Sequence, residues 1–423
     1  MEYKKINIKN GITLHTINTD KFKTNLISVF LTTDLNREDV TKNALISSIL
    51  RRGSKEMPTQ EQISRELEEM YGASFDCGLD KTGNNQVLKF YIESINDNFL
   101  PNKDENLLKK SLEKIFEIVF NPLVENGEFN KTYVEQEKNT IRNIIEGKID
   151  NKARFAMDRC IEEMYGTEGF GLYKYGYVDD LEKIDSKSLY EYYQKLIKEC
   201  KIDIFVSGIV DETTVKMIQE DKNIKKLSER DAKYIPTKLE NREIPKEEKV
   251  KIDSMEVTQG KLVVGLDINI KDEDLKYDVL IYNTILGGSA NSKLFQNVRE
   301  KAHLAYVASS AYLRHKNNIF INCGIEIANY EKTIGLIREQ INEIKDGNFT
   351  DDDVENAKKV IISGIKSIDD EQDSEITYYF GQELSGNLIN LHDYMERIRK
   401  IKREDVLKIA NAVHINTIYF LKD

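Results

Sequence analysis

The sequence predicts an α+β protein built from two homologous α/β units, each a mainly antiparallel sheet with helices layered on one face. Three observations predict it. One segment recurs at a fixed offset, the elements around both copies follow the same order, and a charged, proline-bearing stretch divides the halves.

The recurrence is the most direct of the three. Asn126-Gly127-Glu128-Phe129 leads into a run containing Val134, Glu135, Lys138, Ile141 and Ile145 that closes at Asp150. Asp346-Gly347-Asn348-Phe349 leads into Val354, Glu355, Lys358, Ile361, Ile365 and Asp370. From Gly127 and Gly347 onward the pairs keep a constant offset of 220 residues. Apolar residues recur at helical spacing in both copies, so both helices turn the same face to a core.

The flanking order agrees. Leu26-Ile27-Ser28-Val29-Phe30-Leu31 and Lys261-Leu262-Val263-Val264-Gly265-Leu266 are rich in strand-forming residues. A helix ending in Ile49-Leu50-Arg51-Arg52-Gly53-Ser54 matches one ending in Ile285-Leu286-Gly287-Gly288-Ser289. Each half closes on a strand, Asp203–Gly208 in the first and Thr417–Leu421 in the second. Residues 226–248 are charged and hold Pro236 and Pro245, which disfavour a helix and stiffen an extended connection. The expected division is a first unit of residues 1–225, a linker of residues 226–248 and a second unit of residues 249–423.

Composition narrows the function. Lys plus Arg is 62 against 73 for Asp plus Glu, a net charge of -11, and no basic stripe with interleaved aromatics occurs. Such a chain repels a phosphate backbone, which excludes nucleic acid as a partner. No stretch approaches the ~18 consecutive apolar residues of a membrane span. The opening Met1-Glu2-Tyr3-Lys4-Lys5 leads into no apolar signal region. Cys77, Cys160, Cys200 and Cys323 are widely spaced and form no C-x-x-C pair, as suits a reducing compartment. A cytoplasmic protein with no membrane partner is expected.

The residues that could carry chemistry are few. His15, His303, His315, His392 and His414 fit neither H-E-x-x-H nor H-x-x-E-H, so no local zinc motif exists. Gly287-Gly288 matches neither the phosphate-loop nor the dinucleotide pattern. Two readings remain for it: a helix cap with glycine in the left-handed conformation, or a loop whose bare backbone admits a ligand. Leu294, Phe295 and Val298 share one apolar helical face. Arg299 and Tyr306 stand two turns apart if that helix continues. If it ends near His303, Tyr306 begins the following strand. Either way, a forked guanidinium and a hydroxyl suit a peptide carbonyl or a developing oxyanion.

Leu286-Gly287-Gly288-Ser289, Ser292–Phe295, Val298–Lys301 and Leu304-Ala305-Tyr306 together resemble the C-terminal signature of the M16 metallopeptidase family. The resemblance extends over nearly the whole chain. Asn121-Pro122, Phe129 and Glu135–Lys138 resemble the helix that brings the third zinc ligand, and Tyr165-Gly166 through Tyr192-Tyr193 resembles the first-domain pattern. Active members carry H-x-x-E-H on the first helix. Here Ala44 and Ser48 stand for the two histidines and Ser47 for the base glutamate. Ile144 falls at the distal ligand position, with Glu146 close by. The resemblance therefore implies no catalytic residue, metal or cofactor in this chain.

In the same family a matching Arg and Tyr reach substrate held at the zinc, and some bacterial members divide the two roles between paired subunits. The resemblance implies a non-catalytic, substrate-binding subunit of a two-chain zinc-dependent M16-type peptidase. Arg299, Tyr306, Gly287, Gly288 and Phe295 would line the substrate. The zinc would sit in a homologous partner carrying H-x-x-E-H, and the substrate would be a peptide added as a strand to a sheet edge. The alternative is a catalytically inert peptide-binding or scaffold protein, a homodimer with no peptidase role. Tyr71 echoes Tyr306 in position but has no arginine partner, and is expected to be structural.

Overall fold

Apolar and β-branched residues fill positions 24–34, and they form the long central strand of the first of two sheets. The computed structural model describes residues 2–102, 105–167, 169–238 and 241–423. In the first unit, β1 (Glu2–Lys9), β2 (Ile12–Asn18), β3 (Thr24–Asp34), β4 (Ser74–Thr82), β5 (Asn85–Ile95) and β8 (Lys201–Gly208) lie in the order β1-β2-β8-β3-β5-β4. The short β6 (Val124–Glu125) and β7 (Glu128–Phe129) pair with each other. β2 and β8 run parallel, and the other neighbours run antiparallel.

Alternation along β3 assigns its two faces. Ile27, Val29 and Leu31 pack with Ala44, Leu45 and Ile49 of the helix Val40–Leu50 and with Ile115 and Phe116 of the helix Leu107–Phe120. Phe30 faces the other way. Its ring meets Phe380 edge-on at 4.7 Å and Phe205 at 5.6 Å. The Gln372 amide, from the same distant segment, donates to the Ser207 carbonyl at 3.0 Å.

The second unit repeats the plan. β9 (Lys249–Ser254), β10 (Gly260–Ile268), β11 (Ala305–Leu313), β12 (Asn318–Ile325) and β13 (Val413–Lys422) lie in the order β11-β12-β10-β13-β9, with only β13 and β9 parallel. The helix Lys152–Tyr165 lies against Val263 and Gly265 of β10. The Cys160 thiol donates to the Val263 carbonyl at 3.9 Å, and a Cβ on Gly265 would come within 2.9 Å of Met164 Sδ.

Each compact unit thus draws on both halves of the sequence. One comprises Met1–Glu146, Glu168–Ile235 and Glu371–Gly381, and the other Gly147–Thr167, Pro236–Asp370 and Gln382–Asp423. Lys152–Tyr165 and Gln372–Ser385 stand at the same 220-residue offset as the original repeat, so the two halves trade equivalent segments. Mixed sheets each backed by a main helical layer match the expected α+β class, and the traded segment covers the remaining face.

The repeat itself holds to the level of side chains. In the helices Lys131–Gly147 and Asp351–Ile368, Val134, Ile141 and Ile145 are buried like Val354, Ile361 and Ile365. Lys138 pairs with Glu135 at 3.1 Å and Lys358 with Glu355 at 2.7 Å. Residues 228–248 contain no helix or strand among those described. No helix among the described residues is long and apolar enough to cross a membrane.

Candidate functional site

Two places could carry chemistry, one in each unit. In the first, the helix Val40–Leu50 is buried on most of its surface, so nearly every side chain is enlisted in packing. Ala44 is 1% exposed and packs with Leu45 and Ile49. The buried Ser47 hydroxyl donates to the Gly78 carbonyl of β4 at 3.3 Å, and the Ser47 carbonyl accepts from the Cys77 thiol at 3.5 Å. Burial pushes that thiol up to about 11, which leaves it protonated and inert. Ser48 is half-buried. Ile144 and Glu146 both lie on the exposed side of the helix Lys131–Gly147, whose core face is carried by Ile141 and Ile145.

What ties these two helices together is an arginine that the sequence reading passed over. Arg52 Nη2 donates to Gln136 Oε1 at 2.5 Å, and Arg52 Nη1 lies 3.5 Å from Glu137 Oε1. The guanidinium also covers the Tyr133 ring at 4.7 Å. Burial raises the Glu137 carboxyl, and Arg52 and Arg51 oppose that rise. Arg52 sits in the turn just past the helix end, two residues after Leu50, and a basic pair at a helix C-terminus is the signal that could have found it.

In the second unit, Phe295–Lys301 is a seven-residue π-helix rather than a regular α-helix. It ends at Lys301, and His303, whose φ of 52° lies in the left-handed region, turns the chain into β11. Of the two sequence alternatives, Tyr306 therefore begins a strand. The pairing of β11 with β12 slips between Ala305 and Val307, which leaves Tyr306 as the extra residue of a bulge. It is 65% exposed, and Val307 beside it is also exposed. β11 is an edge strand. The half-exposed Arg299 guanidinium covers the Phe295 ring at 4.5 Å and lies 3.6 Å from the Glu300 carboxylate.

Gly287 caps the helix Lys276–Leu286, but with φ of -158° rather than in the left-handed conformation. It is glycine for another reason. A Cβ there would lie 2.7 Å from both the backbone nitrogen and the hydroxyl of Ser310, and 2.9 Å from Leu294 Cδ1. The Ser310 amide donates to the Gly287 carbonyl at 2.9 Å. A Cβ on Gly288 would lie 3.0 Å from Asn283 Nδ2 and Thr284 Cα. The close approach made at this glycine pair is by the chain itself.

The description "Peptidase M16 inactive domain" belongs to the family model that matches residues 183–361. A probable inactive metalloprotease of Bacillus subtilis (strain 168), YmfF, is 34% identical over 415 residues, which are 97% of this chain and 96% of that protein. The chain belongs to the M16 peptidase family. An uncharacterized zinc protease of the same bacterium, YmxG, is 25% identical over 233 residues, 55% of each chain. The crystal structure of a conserved protein from Enterococcus faecalis V583 matches with a TM-score of 0.90 at 26% identity, covering 100% of this chain and 99% of that one.

M16 zinc chemistry requires imidazole and carboxylate donors around the metal. Ala44 and Ile144 offer no donor atom, and Ser47 and Ser48 offer neutral hydroxyls that are poor zinc ligands. The buried carboxylate on the second helix, Glu137, faces Arg52 instead. These residues do not fit the ion. The chain is an inactive M16-like peptidase homologue with a non-catalytic role.

Proposed function

We propose that this chain is the substrate-binding subunit of a two-chain, zinc-dependent M16-type peptidase. The observation that carries the reading is a contrast in use. The Val40–Leu50 helix spends its side chains on packing, whereas the half-exposed Arg299 just before the edge strand and the exposed Tyr306 within it make no side-chain hydrogen bond among the described residues. An edge strand presents unpaired backbone groups to an extended peptide, so affinity comes from backbone bonds with little sequence demand. The Tyr306 hydroxyl and the Arg299 guanidinium supply the directed donors. Phe295 supports the guanidinium, Gly287 allows β11 to sit close to the helix end, and Gly288 lets the chain turn back against Asn283 and Thr284. Zinc and a glutamate base belong, in this reading, to a homologous partner with H-x-x-E-H. That M16 zinc proteases such as YmxG occur alongside inactive homologues in one bacterium supports such a pairing.

The test is cleavage of a quenched fluorescent peptide by the purified chain with zinc, alone and with an M16 chain that carries H-x-x-E-H from the same genome. Silence alone and chelator-sensitive cleavage on mixing are expected. Chelator-sensitive cleavage by this chain alone would overturn the assignment of Ala44, Ser47, Ser48 and Ile144 as a dead centre. Silence in both arms would remove the peptidase role and leave peptide binding without catalysis.

A further inference from the structure

A second cluster of polar groups lies in the second unit, at the start of the helix Lys276–Leu286, and nothing in the peptidase reading uses it. Tyr277 and Tyr394 meet edge to face, ring centroids 5.1 Å apart. Three cations surround this pair. Lys276 Nζ lies 5.4 Å and Arg397 Cζ 5.2 Å from the Tyr277 centroid, and Arg314 Cζ lies 5.7 Å from that of Tyr394. Lys276 is 9% exposed and Tyr277 3%.

Among the described residues, only one of the three cations is directly paired with an acid. Arg397 pairs with Asp274. Among the described residues, neither Lys276 nor Arg314 has a carboxylate within ion-pair distance. Among the described residues the acceptors that Arg314 meets are neutral, the Tyr394 hydroxyl at 3.5 Å and, with the amide turned to present its oxygen, Gln382 at 2.6 Å. The buried Tyr277 hydroxyl has no hydrogen-bond partner among the described residues. Burial is the main cause lowering Lys276 below an ordinary lysine; Arg314 and Arg397 add to it, while Glu273 and Asp274 oppose it.

A fold gains nothing from burying a lysine without an acid and a hydroxyl without an acceptor, since each carries an uncompensated desolvation cost. Both defects are cured by one group: an anion with several acceptor oxygens. We propose that this cluster binds an oxyanion, the carboxylate or phosphate group of a small ligand, with Lys276, Arg314 and the Tyr277 hydroxyl as donors and Tyr394 as an aromatic wall. A guanidinium presents a planar fork to two oxygens, the lysine adds a point charge, and the phenol fixes a third direction.

The test uses the full chain and its thermal unfolding midpoint in sodium phosphate, sodium acetate and sodium chloride at equal ionic strength. Phosphate or acetate should raise the midpoint saturably beyond chloride. A rise in phosphate alone assigns the site to phosphate esters, and a rise in both assigns it to carboxylates as well. Lys276→Met should abolish the rise and, without the oxyanion, unfold at or above the wild-type midpoint, because a lysine held for a ligand is a liability when the ligand is absent. Tyr277→Phe keeps the ring and loses only the hydroxyl, so it should weaken the half-saturating concentration several-fold even if Lys276→Met fails to fold. The proposal is overturned if the wild type responds no more to phosphate and acetate than to chloride, or if Tyr277→Phe and Lys276→Met respond as the wild type does.

Discussion

The helices Val40–Leu50 and Lys276–Leu286 occupy the same place in the duplicated unit, and each is 11 residues long. Each is tied to its edge strand by a hydroxyl bond, Ser47 to Gly78 of β4 and Ser310 of β11 to Asn283. They differ in how they end. The first runs into Arg51-Arg52, and Arg52 reaches the helix Lys131–Gly147. The second runs into Gly287-Gly288, and the missing Cβ of Gly287 lets β11 approach until Ser310 bonds the helix terminus directly. One scaffold thus yields an end locked by a charged bridge and an end on which an edge strand carries an exposed tyrosine. An enzyme centre needs free donors on the first helix, and a peptide-binding edge needs a fixed strand beside the second. The first helix offers neither imidazole nor carboxylate, and β11 is fixed beside the second helix as the proposed reading requires.

The sharpest way to break this contrast is Arg299→Ala. In a reconstituted pair it should lower kcat/KM on the order of 10²-fold, the loss seen when one directed donor is removed from a reacting oxygen. Assembly of the two chains, read by size-exclusion chromatography, should be unchanged. Full activity would mean that Arg299 is an ordinary surface residue and that the two units are equally idle.

The buried aspartates of the two sheets extend the comparison to pH. Asp203 of β8 is held by the cation of Lys201 and by His15 Nε2 at 3.0 Å, whereas Asp267 of β10 accepts from the amides of Asn318 at 2.9 Å and Asn416 at 2.5 Å. Burial alone would raise the Asp203 carboxyl. The Lys201 charge and the His15 contact override it and draw the group down to about 2. A carboxyl lowered on folding contributes stability that is present above its unfolded value of 3.8 and lost as pH falls towards 2. The contribution is about 2 kcal/mol. Urea midpoints measured down that range should fall for the wild type, and Asp203→Asn should flatten the fall while lowering stability at neutral pH. An unaltered slope would locate the acid sensitivity elsewhere.

Gly287→Ala tests whether the second helix end is as tightly fitted as described. The new Cβ would sit 2.7 Å from Ser310, so helix end or β11 must shift, at a cost of about 1–3 kcal/mol. Chemical denaturation reads that loss directly. A neutral substitution would mean that Gly287 serves no close approach by β11.

Much of this was legible in the sequence because it depends on periodicity. The repeat at 127 and 347, the buried faces led by Val134 and Val354, and the missing donors at positions 44, 47 and 48 follow from residue type and spacing. What escaped depends on contacts between distant positions. The trading of Lys152–Tyr165 for Glu371–Gly381 leaves no local mark, since an amphipathic helix does not name the sheet it covers. The bulge at Tyr306 arises from pairing with β12, and the role of Gly287 arises from Ser310, 23 positions away in the chain. Tyr71, expected as an echo of Tyr306, takes φ of 60° ahead of β4, as His303 takes 52° ahead of β11. Its backbone therefore matches the turn residue His303, although its side chain is exposed like that of Tyr306.

Arg52 is where the comparison predicts the smallest effect and the most specific pattern. Its side chain is a quarter exposed, so the pair with Glu137 is partly screened, and Arg52→Gln should cost about 1 kcal/mol near neutral pH. The loss should depend on pH in a definite direction. Without the cation, the Glu137 carboxyl, already raised by burial, rises further. A carboxyl raised on folding favours the folded state most when protonated, so the variant's deficit should shrink as pH falls through the carboxylate range and grow as pH climbs above it. Glu137→Gln in the same chain should remove both the deficit and its pH dependence, leaving two amides where the ion pair stood. Non-additivity in that double-mutant cycle measures the bridge itself. If the two substitutions simply add, Arg52 and Glu137 are neighbours without coupling, and the first unit's helix end is held by packing alone.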